Sequence, residues 1–138
     1  MRKETKQVYA AYSSFEQAKW LKEKRFNEYC NYVYSLDMVD DTIPRVYSSK
    51  DYLSKDYLSK DVYIWLMPEQ WQVVEWLRIN HDIWISVDFS EMDESFTYKI
   101  QLLTGSEKLP RIFTDAGYYT PQEAYVEAFY YIKENNLI

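Results

Sequence analysis

The length and composition of the chain limit the kinds of protein it can be. Its 138 residues, 47% of them hydrophobic and 28% charged, suit one globular domain with a core of its own. Because 22 acidic residues outnumber 16 Lys and Arg, the net charge is −6, and we expect no direct nucleic-acid binding. The single Cys30 and single His81 exclude an intrachain disulfide and a zinc site of Cys and His ligands, and we predict no cofactor and no metal. Gly105 and Gly117, the two glycines, cannot form a glycine-rich phosphate loop.

The first residues contain no apolar run of the kind found in signal peptides. No later stretch approaches the roughly 18 apolar residues of a membrane span. We therefore expect a cytoplasmic protein that makes no membrane contact. The free Cys30 is consistent with a reducing compartment, and we interpret it as a small buried residue.

One pentapeptide occurs nearly three times between residues 47 and 61. It reads Tyr-Ser-Ser-Lys-Asp at 47–51, then Tyr-Leu-Ser-Lys-Asp at 52–56 and again at 57–61. A period of five matches neither a helix nor a strand, so we interpret 47–61 as an insertion loop within a single domain of residues 1–138. The alternatives are a short helix and a recognition surface of Tyr, Lys and Asp.

The first predicted helix begins at Ser14, where Gln17 completes a capping box. Four apolar side chains share the stripe that we expect to face the core: Phe15, Ala18, Leu21 and Phe26. Trp20 falls on the opposite face among charged residues and is predicted to be exposed.

The second predicted helix begins with Pro68 in its first position and ends at Asn80. Its core stripe consists of Val73, Val74 and Leu77. Trp76 and Ile79 point to another side, so this helix is apolar on two faces and needs two contacts.

The third predicted helix begins at Thr120, with Pro121 in its first position and Glu123 in its third, and runs to about Asn135. A broad apolar arc of this helix would lie on a sheet: Ala124, Tyr125, Ala128, Phe129, Tyr131 and Ile132. Tyr130, together with Val126, falls outside that arc.

Alternating apolar and polar residues predict a hairpin of two strands, 83–90 and 96–103, joined by the polar run 90–95. Segments 62–67 and 29–36 have the composition to extend this sheet, and 111–113 is a candidate short strand in the loop 104–119. The resulting order, α-β-β-α-β-β-α, predicts an α+β fold in which three helices pack on one face of a small antiparallel sheet.

Large apolar side chains outside the core stripes provide the main functional hypothesis. We predict that Trp20, Trp76, Ile79 and Tyr130 contact a partner protein or a second copy of the chain, because several large apolar groups are rarely left in water. The alternative is that the loop 47–61 or the loop 104–119 covers them.

His81 is the one side chain whose ordinary pKa lies near neutrality. It stands where the second helix is predicted to end, and we interpret it as a turn and cap residue rather than a catalytic base. The acidic residues Glu91, Asp93 and Glu94 lack the pattern of a calcium loop and are interpreted as a solvated turn. We predict no catalytic residue.

Four stretches resemble a group of small proteins encoded by phages, prophages and mobile elements of gut bacteria. They are FEQAKWLKEK (15–24), PEQWQVVEWLRINHDIWI (68–85), PQEAY (121–125) and NNLI (135–138), and with the helices that contain them they cover about half of the chain. Glycine is usual in that group where this chain has Arg25 and Asp82, both at turn positions. The resemblance implies a phage-related origin and a bacterial cytoplasmic setting, and it brings no activity and no catalytic residue.

These observations support three functional hypotheses. The first is a non-enzymatic, phage-related accessory domain that binds a protein or forms a homodimer through its aromatic patches. The second is an acidic inhibitor that imitates DNA and blocks a host nucleic-acid enzyme. The third is a small enzyme that uses His81 and nearby carboxylates.

Overall fold

A computed structural model of the chain describes residues 10–37, 43–50, 62–103, 111–113 and 116–138. The helices are α1 (Phe15–Glu23), α2 (Gln70–His81) and α3 (Pro121–Glu134). The strands are β1 (Tyr32–Asp37), β2 (Arg45–Ser48), β3 (Val62–Met67), β4 (Ile83–Ser90), β5 (Ser95–Leu102) and β6 (Arg111–Phe113). All neighbouring strands are antiparallel, and they form two sheets with the orders β2-β1-β3 and β4-β5-β6.

The structure confirms the mixed α+β fold, the β4–β5 hairpin, and the short strand β6. It adds β2, which pairs with β1, and it divides the strands between two sheets rather than one. The helices divide in the same way, because α1 packs beside β3 whereas α3 packs on β4 and β5. Each three-stranded sheet is thereby covered by a helix, which a small sheet needs for stability.

The local signals for the starts of α1 and α3 are confirmed. Gln17 N–H donates to Ser14 Oγ over 3.2 Å, and Ser14 N–H donates to Gln17 Oε1 over 3.1 Å, which completes the capping box. At α3, Glu123 N–H donates to Thr120 Oγ1 over 3.1 Å, while the Glu123 carboxylate accepts from Tyr119 N–H. Each cap joins residues that are close in sequence, so each could be predicted from the sequence.

The start of α2 differs from the prediction, because the helix begins at Gln70 rather than at Pro68. Ser13 N–H donates to Pro68 O over 2.8 Å, and Gln70 N–H donates to Ala11 O over 2.9 Å. Glu69, between them, keeps an extended backbone as the N-cap. The chain before α1 therefore pairs with the backbone of Pro68 and Gln70, and this pairing shifts the start of the helix to Gln70.

The main core lies between α2, α3 and the inner face of the β4–β5 hairpin. Its fully buried side chains include Leu77, Ile83, Ile85, Ile100, Ala124, Ala128, Phe129 and Ile132. The apolar arc of α3 thus lies on a sheet, as its spacing predicts. No helix in the described ranges combines the length and apolar character that a bilayer crossing requires.

Part of the predicted insertion loop is a strand. Tyr47 and Ser48 are the last residues of β2, and the buried Ser49 donates its N–H to Asn31 O over 2.9 Å. The loop interpretation is therefore wrong at its first residues, because pairing with β1 holds them in a sheet. Residues 51–61 of the repeat lie outside the described residues.

Candidate functional site

Trp20 is buried, so its predicted exposure is wrong. It is 4% exposed because α1 has neighbours on two sides. On one side Phe15 packs edge to face on Trp65 of β3, with ring centroids 4.9 Å apart. On the other side Trp20 and α3 line a groove of about 190 Å³, the Trp20–Tyr130 groove. Tyr130 borders this groove and is 57% exposed, as predicted.

Trp76 is also buried, and its predicted role as an exposed anchor is wrong. Its ring contacts the rings of Phe26 and His81, with centroid distances of 5.3 and 4.7 Å. Phe26, in the segment that follows α1, therefore covers part of the Trp76 ring. Trp76 belongs to the core cluster.

Trp71 is the highly exposed tryptophan of α2, and the sequence analysis gave it no functional role. It is 63% exposed, while Ile79 is 65% exposed, as predicted. Trp71, Glu75 and Ile79 follow one another at intervals of four residues, so they lie along one side of the helix. This spacing is the signal that could have identified Trp71 from the sequence.

Trp71 stands between two grooves. The Trp71–Tyr125 groove has a volume of about 310 Å³ and is lined by Ala10, Ala11, Gln70, Trp71, Val74, Glu75 and Tyr125. The Trp71–Ile79 groove has a volume of about 190 Å³ and is lined by Glu28, Trp71, Gln72, Glu75, Trp76, Ile79 and Asn80. Because Trp71 and Glu75 line both, the grooves adjoin, and the indole forms a ridge between them. These lining residues are together called the Trp71 surface.

Hydrogen bonds fix both the ridge and one wall of the Trp71 surface. Nε1 of Trp71 donates to the carboxylate of Glu69, which holds the exposed ring in one orientation. Nε2 of Gln72 donates to Tyr29 O over 2.7 Å, which attaches the segment after α1 to α2. Groups that are already ordered lose less conformational entropy when a partner binds. The surface is therefore suited to recognition without rearrangement.

The charged residues that line the Trp71 surface are the carboxylates Glu28 and Glu75. Arg78 pairs with Glu75, with 2.7 Å between Nη2 and Oε2, and this hydrogen bond lowers the pKa of Glu75. Oε1 of Glu75 has a longer contact, 3.4 Å from Arg78 Nε. This oxygen therefore has the capacity to accept a hydrogen bond from a cation on another molecule.

α2 ends at His81, one residue beyond the predicted end at Asn80, so His81 belongs to the helix rather than to the turn, and its ring lies against Trp76. Burial lowers the pKa of His81 below its usual 6.5, and nearby Lys24 lowers it further, while Asp82 has the opposite effect. The left-handed residue that ends the helix is Asp82, with φ of 54°, rather than His81. These contacts favour the structural interpretation of His81.

The acidic residues of the β4–β5 turn, Glu91, Asp93 and Glu94, are exposed, as predicted. Across the part of the chain that the structure describes, no group of three His, Cys, Asp or Glu side chains is arranged to hold a metal ion. The structure thus brings together apolar and acidic groups around Trp71 rather than a set of metal ligands.

The chain matches no protein-family model, no curated protein and no solved structure. Its function must therefore be inferred from the contacts, burial and charge of its own residues.

Proposed function

We propose that this chain is a non-enzymatic accessory domain that binds another protein through the Trp71 surface. The observation that carries this proposal is the 63% exposure of a tryptophan that stands between two apolar grooves. Tryptophan is enriched at the energetic centres of protein interfaces, because its ring buries a large apolar area. Contact with a partner would remove this ring from water and release the free energy of its burial.

The shape of the Trp71 surface favours a macromolecule over a small ligand. Small-molecule sites are concave and enclose most of the ligand. Here the largest exposed apolar side chain of the surface, Trp71, is a ridge with a groove on each side. A partner that entered both grooves would cover the indole on both faces, which requires a larger contacting surface than a single small molecule offers.

A second copy of this chain fits the surface less well than a different protein does. In a symmetric dimer the same patch of each copy meets its equivalent. Glu28 and Glu75 of one copy would then approach the same carboxylates of the other, and the net charge of −6 on each copy adds long-range repulsion. We therefore rank a different protein first and homodimerisation second.

The resemblance to phage and mobile-element proteins supports the cellular part of the proposal. It implies a bacterial cytoplasmic setting, in which the partner would be a host or phage protein. A bacterial lysate is accordingly the source in which to look for this partner.

The proposal is tested by affinity capture from a bacterial lysate with the wild-type chain and with single variants. Trp71→Ala removes the ridge, and we expect it to abolish capture of the specific partner. Tyr119→Ala is the matched control, because Tyr119 is 91% exposed yet lines neither groove. Tyr130→Ala separately tests the predicted contact at the Trp20–Tyr130 groove.

Each captured protein must then be purified and titrated against the same variants. A complex that Trp71→Ala weakens by about 2 kcal/mol or more, with Tyr119→Ala unchanged, would support the proposal. The proposal fails if no captured protein depends on Trp71 while light scattering finds the chain monomeric at high concentration. A dimer that Trp71→Ala dissociates would instead support the homodimer.

A further inference from the structure

We propose that the partner presents a basic amphipathic segment to the Trp71 surface, with apolar side chains on both sides of Trp71 and Lys or Arg beside Glu28 and Glu75. This inference rests on the proposed function and specifies the chemistry of the partner.

The apolar part of the inference follows from the two grooves. Val74 and Tyr125 line the groove on one side of Trp71, and Ile79 with the edge of Trp76 lines the groove on the other. A single apolar side chain would fill one groove and leave the other face of the indole in water. Two apolar side chains one helical turn apart lie side by side on a helix, and such a pair can straddle a ridge. The two grooves thus favour a segment with paired apolar anchors.

The basic part follows from the charges around the ridge. Glu28 and Glu75 line the grooves, and the Glu69 carboxylate accepts the indole N–H. The basic residue beside them, Arg78, forms an ion pair with Glu75 in which both side chains are more than 40% exposed. Exposed pairs of this kind are weak, so Arg78 does not fully offset the three carboxylates. A segment carrying Lys or Arg complements this charge, whereas an acidic one is repelled.

Alternative occupants of the surface differ in the charge that they bring. A second copy brings its own Glu28 and Glu75, as argued above. Residues 1–9 of the chain precede Ala10, which lines the Trp71–Tyr125 groove, and they carry Arg2, Lys3 and Lys6. Both alternatives are outcomes that the experiment must distinguish from a separate partner.

The experiment titrates the full chain with two labelled synthetic peptides and follows their fluorescence anisotropy. Both peptides place leucines along one face of a helix; the remaining positions are Lys in one peptide and Glu in the other. We expect the basic peptide to bind at least about tenfold more tightly than the acidic one at low salt, and Trp71→Ala to weaken it by about tenfold or more. A third peptide, with Lys retained and the leucines replaced by alanine, should bind at least about tenfold more weakly than the basic peptide.

Two double variants separate local charge from overall charge. Glu28→Gln with Glu75→Gln should weaken binding of the basic peptide by about five- to tenfold at low salt. Glu91→Gln with Glu94→Gln removes the same charge from the β4–β5 turn, whose residues line neither groove, and should change the affinity by less than about twofold. Equal losses in both double variants would mean nonspecific attraction and would overturn the inference.

The remaining outcomes are also decisive. Equal binding of the Lys and Glu peptides, with Trp71-dependent capture of a lysate protein, would overturn the basic partner and leave the proposed function intact. If neither capture of a lysate protein nor peptide binding depends on Trp71, both the basic partner and the proposed function are overturned. A dimer that depends on Trp71 would overturn the separate partner and identify a second copy of the chain as the occupant of the Trp71 surface. Tighter binding of both the Lys and the Glu peptide after Arg2, Lys3 and Lys6 are changed to Gln would identify residues 1–9 as the occupant, since the loss of positive charge alone would favour only the Lys peptide.

Discussion

The imidazole of His81 packs against the indole of Trp76, with ring centroids 4.7 Å apart and ring planes at 65°. Phe26 contacts the same indole at 5.3 Å, so Trp76 packs against two rings contributed by different segments. This arrangement explains why Trp76 is a core residue. It also removes part of the water around the His81 ring, and this loss of water disfavours the protonated form of His81.

The first prediction concerns the dependence of stability on pH. Burial, reinforced by Lys24 and partly opposed by Asp82, lowers the pKa of His81 in the folded chain below the 6.5 of the free side chain. The unfolded chain therefore binds more protons in this range. The contribution of His81 to stability is fully present above pH 6.5 and is lost as the pH falls through the folded-state pKa. Urea unfolding midpoints measured from about pH 7.5 to about pH 5 should fall accordingly.

His81→Gln provides the control, because glutamine does not titrate. We expect its unfolding midpoint to vary less with pH than that of the wild type across the same interval. Parallel pH profiles for the two proteins would contradict the prediction, since other groups would then account for the whole dependence.

The second prediction concerns the end of α1. Phe26 N–H donates to Leu21 O over 2.9 Å and Arg25 N–H donates to Lys22 O over 3.1 Å, so the helix ends in a Schellman motif with Arg25 at φ of 66°. A side chain with a Cβ is strained there, and glycine is not. Arg25→Gly should therefore raise the free energy of unfolding by about 0.5–1 kcal/mol, as measured by urea titration.

The end of α3 supplies a matched comparison. Asn136 occupies the equivalent position at φ of 50°, with Leu137 N–H donating to Ile132 O over 3.1 Å. Asparagine tolerates this conformation better than arginine does. Asn136→Gly should therefore raise the free energy of unfolding by less than Arg25→Gly does. A larger gain at Asn136, or a loss at Arg25, would show that the Arg25 side chain makes contacts that outweigh its backbone strain.

The features that the sequence predicted correctly depend on neighbours within a few residues. The capping box at Ser14 and Gln17, the cap at Thr120, and the alternation in β4 and β5 are all of this kind. The start of α2 could not be predicted in this way. It depends on pairing between Tyr12 and Glu69, which are far apart in the sequence.

The candidate site was less predictable for the same reason. The side of α1 that carries Trp20 looked exposed because α3, which lines the same groove as Trp20, lies at the other end of the chain. Trp76 looked exposed because helical spacing does not reveal that Phe26 covers it. Ile79 and Tyr130, which no later segment covers within the described ranges, are exposed as their spacing predicts.

The third prediction concerns Gly117, where the chain approaches the start of β5. Tyr118 and Phe96 exchange backbone hydrogen bonds of 2.8 Å, which brings Gly117 beside Ser95. A Cβ at Gly117 would lie 2.6 Å from Ser95 Cβ and would also overlap Ser95 Oγ. Gly117→Ala should therefore lower the free energy of unfolding by about 1–3 kcal/mol. Thermal and urea unfolding of the purified variant measure this change.

A double variant tests whether the loss comes from this contact. Ser95→Gly removes the side chain that the new Cβ would meet. We expect Gly117→Ala to lower the free energy of unfolding clearly less in the Ser95→Gly background than in the wild type. Such a result is a favourable coupling between the two changes. If the two losses simply add, the cause lies in the backbone of Gly117 and not in its approach to Ser95.

The last prediction concerns the reactivity of Cys30, which is 2% exposed. Burial raises the pKa of this thiol to about 11, and the carboxylates of Glu28 and Glu69 contribute to the rise. Since the thiolate is the reactive form, about one thiol in a thousand is ionised near pH 8, roughly a hundredfold fewer than in an unperturbed cysteine. The native chain should thus react with iodoacetamide at least about a hundredfold more slowly than the urea-unfolded chain.

The chain with Cys30→Ser and Met92→Cys is the control, because position 92 is 95% exposed and should react rapidly without urea. Equal rates for Cys30 and Met92→Cys in the folded state would contradict the buried, protonated thiol and would require the segment after α1, which also covers Trp76, to open readily.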